Sequence, residues 1–182
     1  DLRGAFRAAG YVVGRYRNFG NWYEPIEAPT LDAYMARRPS VLRNTIKRKT
    51  KKLEQSGASR FEMMDSAARL DGGIAAYEKI YGASWKEPEA FPRFVPGLMR
   101  AMADEDWLRL GILWAGDEPA AAQLWLTAGG RAVIYKLAYD PRFADLSVGS
   151  ILTLRMMRHA IEVDGVREID YGSGDDAYKK DW

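Results

Sequence analysis

Between Trp107 and Tyr139 the chain runs through three apolar segments, WLRLGILWA, AAAQLWLTA and RAVIYKLAY, with Gly116-Asp117 and Gly129-Gly130 as the turn signals between them. Glycine dipeptides between short apolar runs are hairpin connections, because the favoured hairpin turns need positive φ. The three segments are therefore expected to form an antiparallel meander. SVGSILTLRMMRHAIEVDG follows, with Ile151, Leu154, Met157 and Ile161 as the buried edge of a helix and Gly165 as its stop. VREIDY then reads as a further strand.

Upstream, DLRGAFRAAG reads as a short helix with a glycine stop, residues 11–19 as a strand, and NWYEPIEAPT, with its two prolines, as a linker. Thr30 is placed to cap a helix in LDAYMARR. A longer helix runs from Val41 to about Gln55, with Ser56-Gly57 as its end. SRFEMMD is a strand. Two helices come next, one with Ile74, Tyr77, Ile80 and Tyr81 on one side, the other with Phe94, Leu98 and Met102 spaced by four. The order β-α-α-β-β-β-α-β predicts an α/β (α+β) mixed sheet with helices on both faces.

Composition narrows the function. The 182 residues suit one sizeable domain, and 47% hydrophobic content supplies its core. A net charge of +2 implies no global preference for nucleic acid or membrane. With no cysteine there is no disulfide framework and no thiolate zinc site, and with His159 as the single histidine any metal would need carboxylates. No metal is expected. No apolar run reaches the ~20 residues of a membrane span and no signal peptide opens the chain, so a cytoplasmic location is expected. The first residue is Asp, which makes a piece of a longer protein the expectation.

Three stretches carry candidate chemistry. The helix opening at Ser147, Gly149 and Ser150 offers unpaired N–H groups and a partial positive charge, which suits a phosphate; alternatively Ser147 is an N-cap and Gly149 a packing residue. The closing DYGSGDDAYKKDW puts Asp170 at a strand tip, loosens the turn with Gly172 and Gly174, and follows with Tyr178 and Lys179. A tyrosine there can protonate a leaving group, and a lysine can offset oxyanion or phosphate charge; turn-capping aspartates and packed aromatics are the plainer reading. From Arg37 to Lys52 stand eight Lys or Arg and no acid, on a helix whose seam is Leu42, Ile46 and Leu53. A solvated helix face is the default for such a run, an RNA- or phosphate-facing arm the sharper alternative.

Taken together, RPSVLRNTIKRKTKKLEQSG, YEKIYGASWK and the last stretch from YKLAYDPRF to the closing Trp182 resemble the CelD/BcsL-type acetyltransferase domain of the GNAT superfamily of acyl-CoA N-acyltransferases. The resemblance covers residues 30–182. It implies the GNAT fold, a mostly antiparallel sheet in which two strands splay apart, with strands near 59–65, 107–115, 120–128, 131–139 and 166–171. It implies acetyl-CoA or another acyl-CoA as co-substrate, bound by Leu137, Ala138 and Tyr139 and by the helix opening Ser147, Val148, Gly149, Ser150 and Ile151. That opening departs from the superfamily's glycine-rich form, with only Gly149 plainly in place. The resemblance further implies catalysis by Tyr178, Lys179, Asp170 and Asp176, and acceptor contacts from Trp85, Lys86, Gln123 and Tyr135. The acceptor would be the amine of a small molecule, peptide or sugar. Fem-like peptidyltransferases, which draw aminoacyl groups from tRNA, are similar too, and keep a nucleic-acid partner for 37–52 as the lesser reading. A catalytically silent binding domain is the third. Residues 1–29 are expected to end a preceding half-domain, and 30–182 to be completed by a homodimer partner, a tandem half or chain beyond Trp182.

Overall fold

The computed structural model describes residues 2–14, 16, 19–55, 59–65, 67–174 and 176–182. Helix α1 (Leu2–Ala8) leads to strand β1 (Asn21–Pro25), helices α2 (Leu31–Ala36) and α3 (Ser40–Gln55), and strand β2 (Ser59–Met64). Helices α4 (Ala67–Ala83) and α5 (Phe94–Asp104) precede the meander β3 (Leu108–Ala115), β4 (Glu118–Ala128) and β5 (Arg131–Tyr139). A 3₁₀ turn over Pro141–Leu146 then enters α6 (Val148–Glu162), followed by β6 (Glu168–Ser173) and the short α7 (Ala177–Asp181).

One sheet holds all these strands in the order β1-β6-β5-β4-β3-β2. Every pairing is antiparallel except that of β5 with β6. The meander forms as its turns predict: Gly116 and Gly129 sit at φ +63° and +59°, where a side chain would be strained. One face of the sheet packs on α4 and α5 through Tyr77, Ile80, Met99, Leu110 and Leu124. The other packs on α2, α3 and α6 through Tyr34, Ile46, Leu53, Leu152 and Met157. This is the expected mixed sheet with a helical layer on each side.

Three expectations need correction. The described residues among 11–19 lie in no strand, and the extended segment is β1, inside the stretch read as a linker. Its ladder comes wholly from β6, from Asn21↔Ser173 to Pro25↔Glu168, and an edge strand tolerates the proline that closes it. The buried stripe of α5 is Val95 and Met99; of the predicted residues Met102 packs against this core, whereas Phe94 is exposed, turned one helical position (about 100°) away from Val95. Asp170 lies inside β6, not at its tip, since pairing with β1 continues to Ser173. The predicted stop at Ser56-Gly57 falls outside the described residues. Thr30 does cap α2, its hydroxyl accepting from the Ala33 N–H at 3.2 Å.

Candidate active site

The site begins where two strands part. β5 and β6 pair at only three registers, Arg131↔Glu168, Ala132↔Ile169 and Val133↔Asp170. Beyond them Gly172, at φ +73°, lets β6 follow β1, while β5 runs on to Tyr139. The far half of β5 therefore presents an edge that no strand occupies among the described residues.

Two cavities fill the gap. The one of about 410 Å³ is walled by Leu137 and Tyr139 from β5, by Ser147, Val148, Gly149 and Ser150 at the opening of α6, and by Gln123. The one of about 470 Å³ is walled by Tyr135, Lys136, Lys86, Asp176 and Lys179. Trp85, Leu137 and Tyr178 line both, so the cavities meet at these side chains. The Trp85 and Tyr139 rings lie 4.7 Å apart and build that junction.

The opening of α6 is presented to the first cavity by local geometry. Asp140 is buried and accepts from the Arg142 N–H at 2.9 Å, which starts the 3₁₀ turn. The Arg142 guanidinium also hydrogen-bonds Asp140 and holds its carboxyl below the usual range. Ser147 then takes a left-handed conformation, φ +54°, and its hydroxyl makes no cap hydrogen bond. The capping alternative is thus not realised, and that side chain leaves the first-turn N–H groups unsatisfied. Gln123 fixes the turn to the sheet: its amide donates to the Gly149 carbonyl and to Thr153 Oγ1 at 3.2 and 2.7 Å, and accepts from Trp125 Nε1 at 2.9 Å. Ala138 and Ile151 are buried in the two core layers and wall neither cavity.

The closing stretch supplies the other wall. Tyr178 is half-exposed, and burial, followed by the neighbouring Asp176 charge, pushes its phenol pKa up. Lys179 is buried, and its ammonium is held by the Ser173 carbonyl at 2.7 Å and by Asp176 at 3.0 Å. It clamps the turn that carries Tyr178. Asp170 is not brought to the cavities; its Oδ1 accepts from Asn21 Nδ2 at 3.0 Å and from the Gly172 N–H at 2.8 Å, tying β6 to β1. Lys86 lies 5.6 Å over the Trp85 ring. His159 sits at the boundary of α6, its Nε2 3.6 Å from Asp164.

Sequence reasoning missed Leu42, Thr153 and Lys136 as wall residues. Leu42 carried a signal, as the end of the α3 seam; Lys136 carried none, because its place depends on β6 leaving β5. Among the described residues, no group of three or more His, Cys, Asp or Glu side chains is placed to hold a metal ion, and no helix is long and apolar enough to cross a membrane.

Comparison with known proteins agrees with this geometry. Residues 40–180 match the family of acetyltransferase (GNAT) domains. No curated protein matches the chain in sequence. Among solved structures, FemX superposes with a TM-score of 0.72 at 13% identity, over 100% of this chain and 64% of its own. L-PGS from Bacillus licheniformis gives 0.59 at 14% identity, over 96% and 51%. A C-terminal DUF2156 domain from Agrobacterium fabrum gives 0.60 at 12% identity, over 86% and 46%. The chain thus spans about half the length of the last two, and at these identities the likeness is one of fold. A six-stranded sheet with a parted β5–β6 pair, and a family match across most of its length, place the chain in the GNAT acetyltransferase domain family.

Proposed function

We propose that this domain is an N-acyltransferase that moves an acyl group from an acyl-CoA, acetyl-CoA in the first instance, to an amine by direct attack in a ternary complex. The parting of β5 from β6 carries the reading: it leaves a strand edge and an uncapped helix opening facing one cavity, with a second cavity for the acceptor alongside. The first-turn N–H groups of α6, at Val148 to Ser150, suit a pyrophosphate. The free edge of β5 at Leu137 to Tyr139 suits the amide-bearing arm of the donor.

In this reading the acceptor nitrogen bonds to the thioester carbonyl carbon, and the carbon–sulfur bond breaks. The amine proton leaves through a cavity water or the exposed Asp176 carboxylate, and the departing thiolate takes the Tyr178 proton. The phenol is protonated at neutral pH, as an acid must be, and burial extends that form to higher pH. Lys179 acts as a positioning residue through the Ser173 carbonyl and Asp176. Asp170, turned toward Asn21, takes no part. The closing motif and the basic α3 resemble those of the CelD/BcsL type, and we propose that branch for the chain.

A second reading has one observation in its favour. Of the eight cations from Arg37 to Lys52, Arg37 and Arg38 pair with Glu27 and Glu24, and Lys49 bonds the Asp145 carbonyl. The others, Arg43, Lys47, Arg48, Lys51 and Lys52, pair with no described carboxylate. A Fem-like transferase drawing its acyl group from aminoacyl-tRNA would use such a face. Calorimetric titration separates the two: acetyl-CoA binding, with a longer acyl-CoA alongside, supports the first, and its absence together with salt-sensitive tRNA binding supports the second.

A further inference from the structure

A third cavity, of about 280 Å³, opens on the α4/α5 face and is walled by Tyr77, Tyr81, Glu89, Pro88, Pro92 and Pro96. It adjoins the parted strands. Lys86 lines both this cavity and the acceptor-side one. Glu89 reaches Lys136, which lines the acceptor-side cavity, at 2.5 Å.

Tyr77 is only 2% exposed, yet its hydroxyl finds no hydrogen-bond partner among the described residues. Buried polar groups are nearly always paired, so an unpaired hydroxyl on a residue that walls a cavity, itself sealed from solvent, marks a place where a small shift of the ring would admit a guest atom. Burial, the largest cause, also raises the Tyr77 pKa, so the group is a neutral O–H. The charges around the cavity balance: Glu89 is paired with Lys136, and exposed Glu78 at the rim is matched by Lys86. A charged guest gains little there. Three of the wall residues are prolines, which have no N–H to offer a peptide carbonyl. Prolines and the Tyr81 ring do offer flat apolar surface, while Tyr77 and the carboxylates can accept from hydroxyls. The volume lies below the ~300–1,000 Å³ usual for drug-sized ligands, which limits the guest to about one ring.

We propose that this cavity is an acceptor subsite for a neutral polyhydroxylated ring, the non-reacting body of an amino sugar, and that the Tyr77 hydroxyl is a specificity-determining contact. The proposal rests on the acyl-transfer reading for its reaction but not for its binding, and the two are tested apart.

The probes are D-glucosamine and cyclohexylamine, similar rings with and without hydroxyls. With acetyl-CoA as donor, Tyr77→Phe should lower kcat/KM for glucosamine roughly 10-fold, mainly through KM, while leaving kcat/KM for cyclohexylamine unchanged. Because the hydroxyl has no internal partner, Tyr77→Phe should not lower the Tm. Gly82→Leu adds a side chain at the cavity wall, where a new Cβ meets nothing within 4 Å, and should also weaken glucosamine selectively. Saturation-transfer NMR of glucosamine on the donor-free protein gives the binding arm. Signals lost in Tyr77→Phe support the subsite even if calorimetry shows no acetyl-CoA binding, which would sink only the donor reading. A kcat/KM for glucosamine unchanged in Tyr77→Phe, or glucosamine contacts indifferent to that substitution, overturns the subsite even if acetyl-CoA binds well.

Discussion

Tyr178 stands where the two cavities of the strand gap meet, and its neighbour Lys179 is buried in the turn below it. The two residues therefore predict different defects. A proton donor contributes ~10²–10⁴-fold to rate, so Tyr178→Phe should cut kcat by that order with little change in KM or Tm. Raising the phenol pKa extends the protonated form upward, so the alkaline limb of kcat should lie above the ordinary tyrosine value of about 10. A limb near neutrality would assign the acid elsewhere. Lys179→Met leaves the Ser173 carbonyl without its donor. It should lose on the order of 1–3 kcal/mol of stability along with activity, and melting curves beside kinetics distinguish a clamp from a group that acts only on the transition state.

At the scale of elements, the opening of α6 depends on the turn before it and on the residue in its first turn. A Cβ at Gly149 would meet only Tyr139 Cδ1, at 3.5 Å, an ordinary contact. Gly149→Val should thus fold normally while its branches obstruct the donor, and calorimetry with acetyl-CoA should show affinity reduced by about tenfold or more; an unaltered affinity removes this turn from the site. Asp140 starts the turn with its carboxyl pKa depressed by Arg142. A depressed folded pKa gives stability that is present above the unfolded value of about 3.9 and is lost as pH falls through the folded one. Asp140→Asn should therefore melt lower than the parent at neutral pH, with the gap closing on acidification below about pH 4; a gap independent of pH would assign the loss to geometry alone.

These elements also show what a sequence can disclose. The meander, α4 and α6 were legible because glycine turns and apolar residues three and four apart encode them locally. β1 was not, since five residues ending in proline become a strand only once β6 lies beside them. The α5 stripe was legible only in part, because Phe94 fits the period with Met102 yet it is Val95, one position on, that turns into the core. The α6 opening and Tyr178 could be picked out as candidates from residue types alone. Tyr77 could not: its periodicity marks a core residue, and only the folded chain shows a hydroxyl without a partner. Asp170 misled for a similar reason, since a carboxylate beside a glycine turn looks the same whether it faces a cavity or ties two strands together.

Across the whole molecule, the basic face of α3 lies on the helical layer that also holds α6, and Leu42 of α3 reaches the wall of the first cavity. If that face is only solvated, reversing Lys47, Lys51 and Lys52 to glutamate should leave acetyl-CoA turnover within about twofold, because exposed charges contribute little at this range in physiological salt. A collapse of activity, together with steeply salt-dependent tRNA binding by the parent, would turn the assignment toward the aminoacyl-transferase reading. The strand order carries a kinetic corollary. Asn21 and Asp170 meet although they stand 149 positions apart, whereas β3, β4 and β5 are joined by tight turns. Contacts of long sequence separation pay their loop-closure entropy before they gain anything, so β1 should dock on β6 after the meander and α4 have formed. The gap between β5 and β6 would then be among the last features to take shape, and a chain emerging from the ribosome would hold a nearly complete sheet before it had an active site.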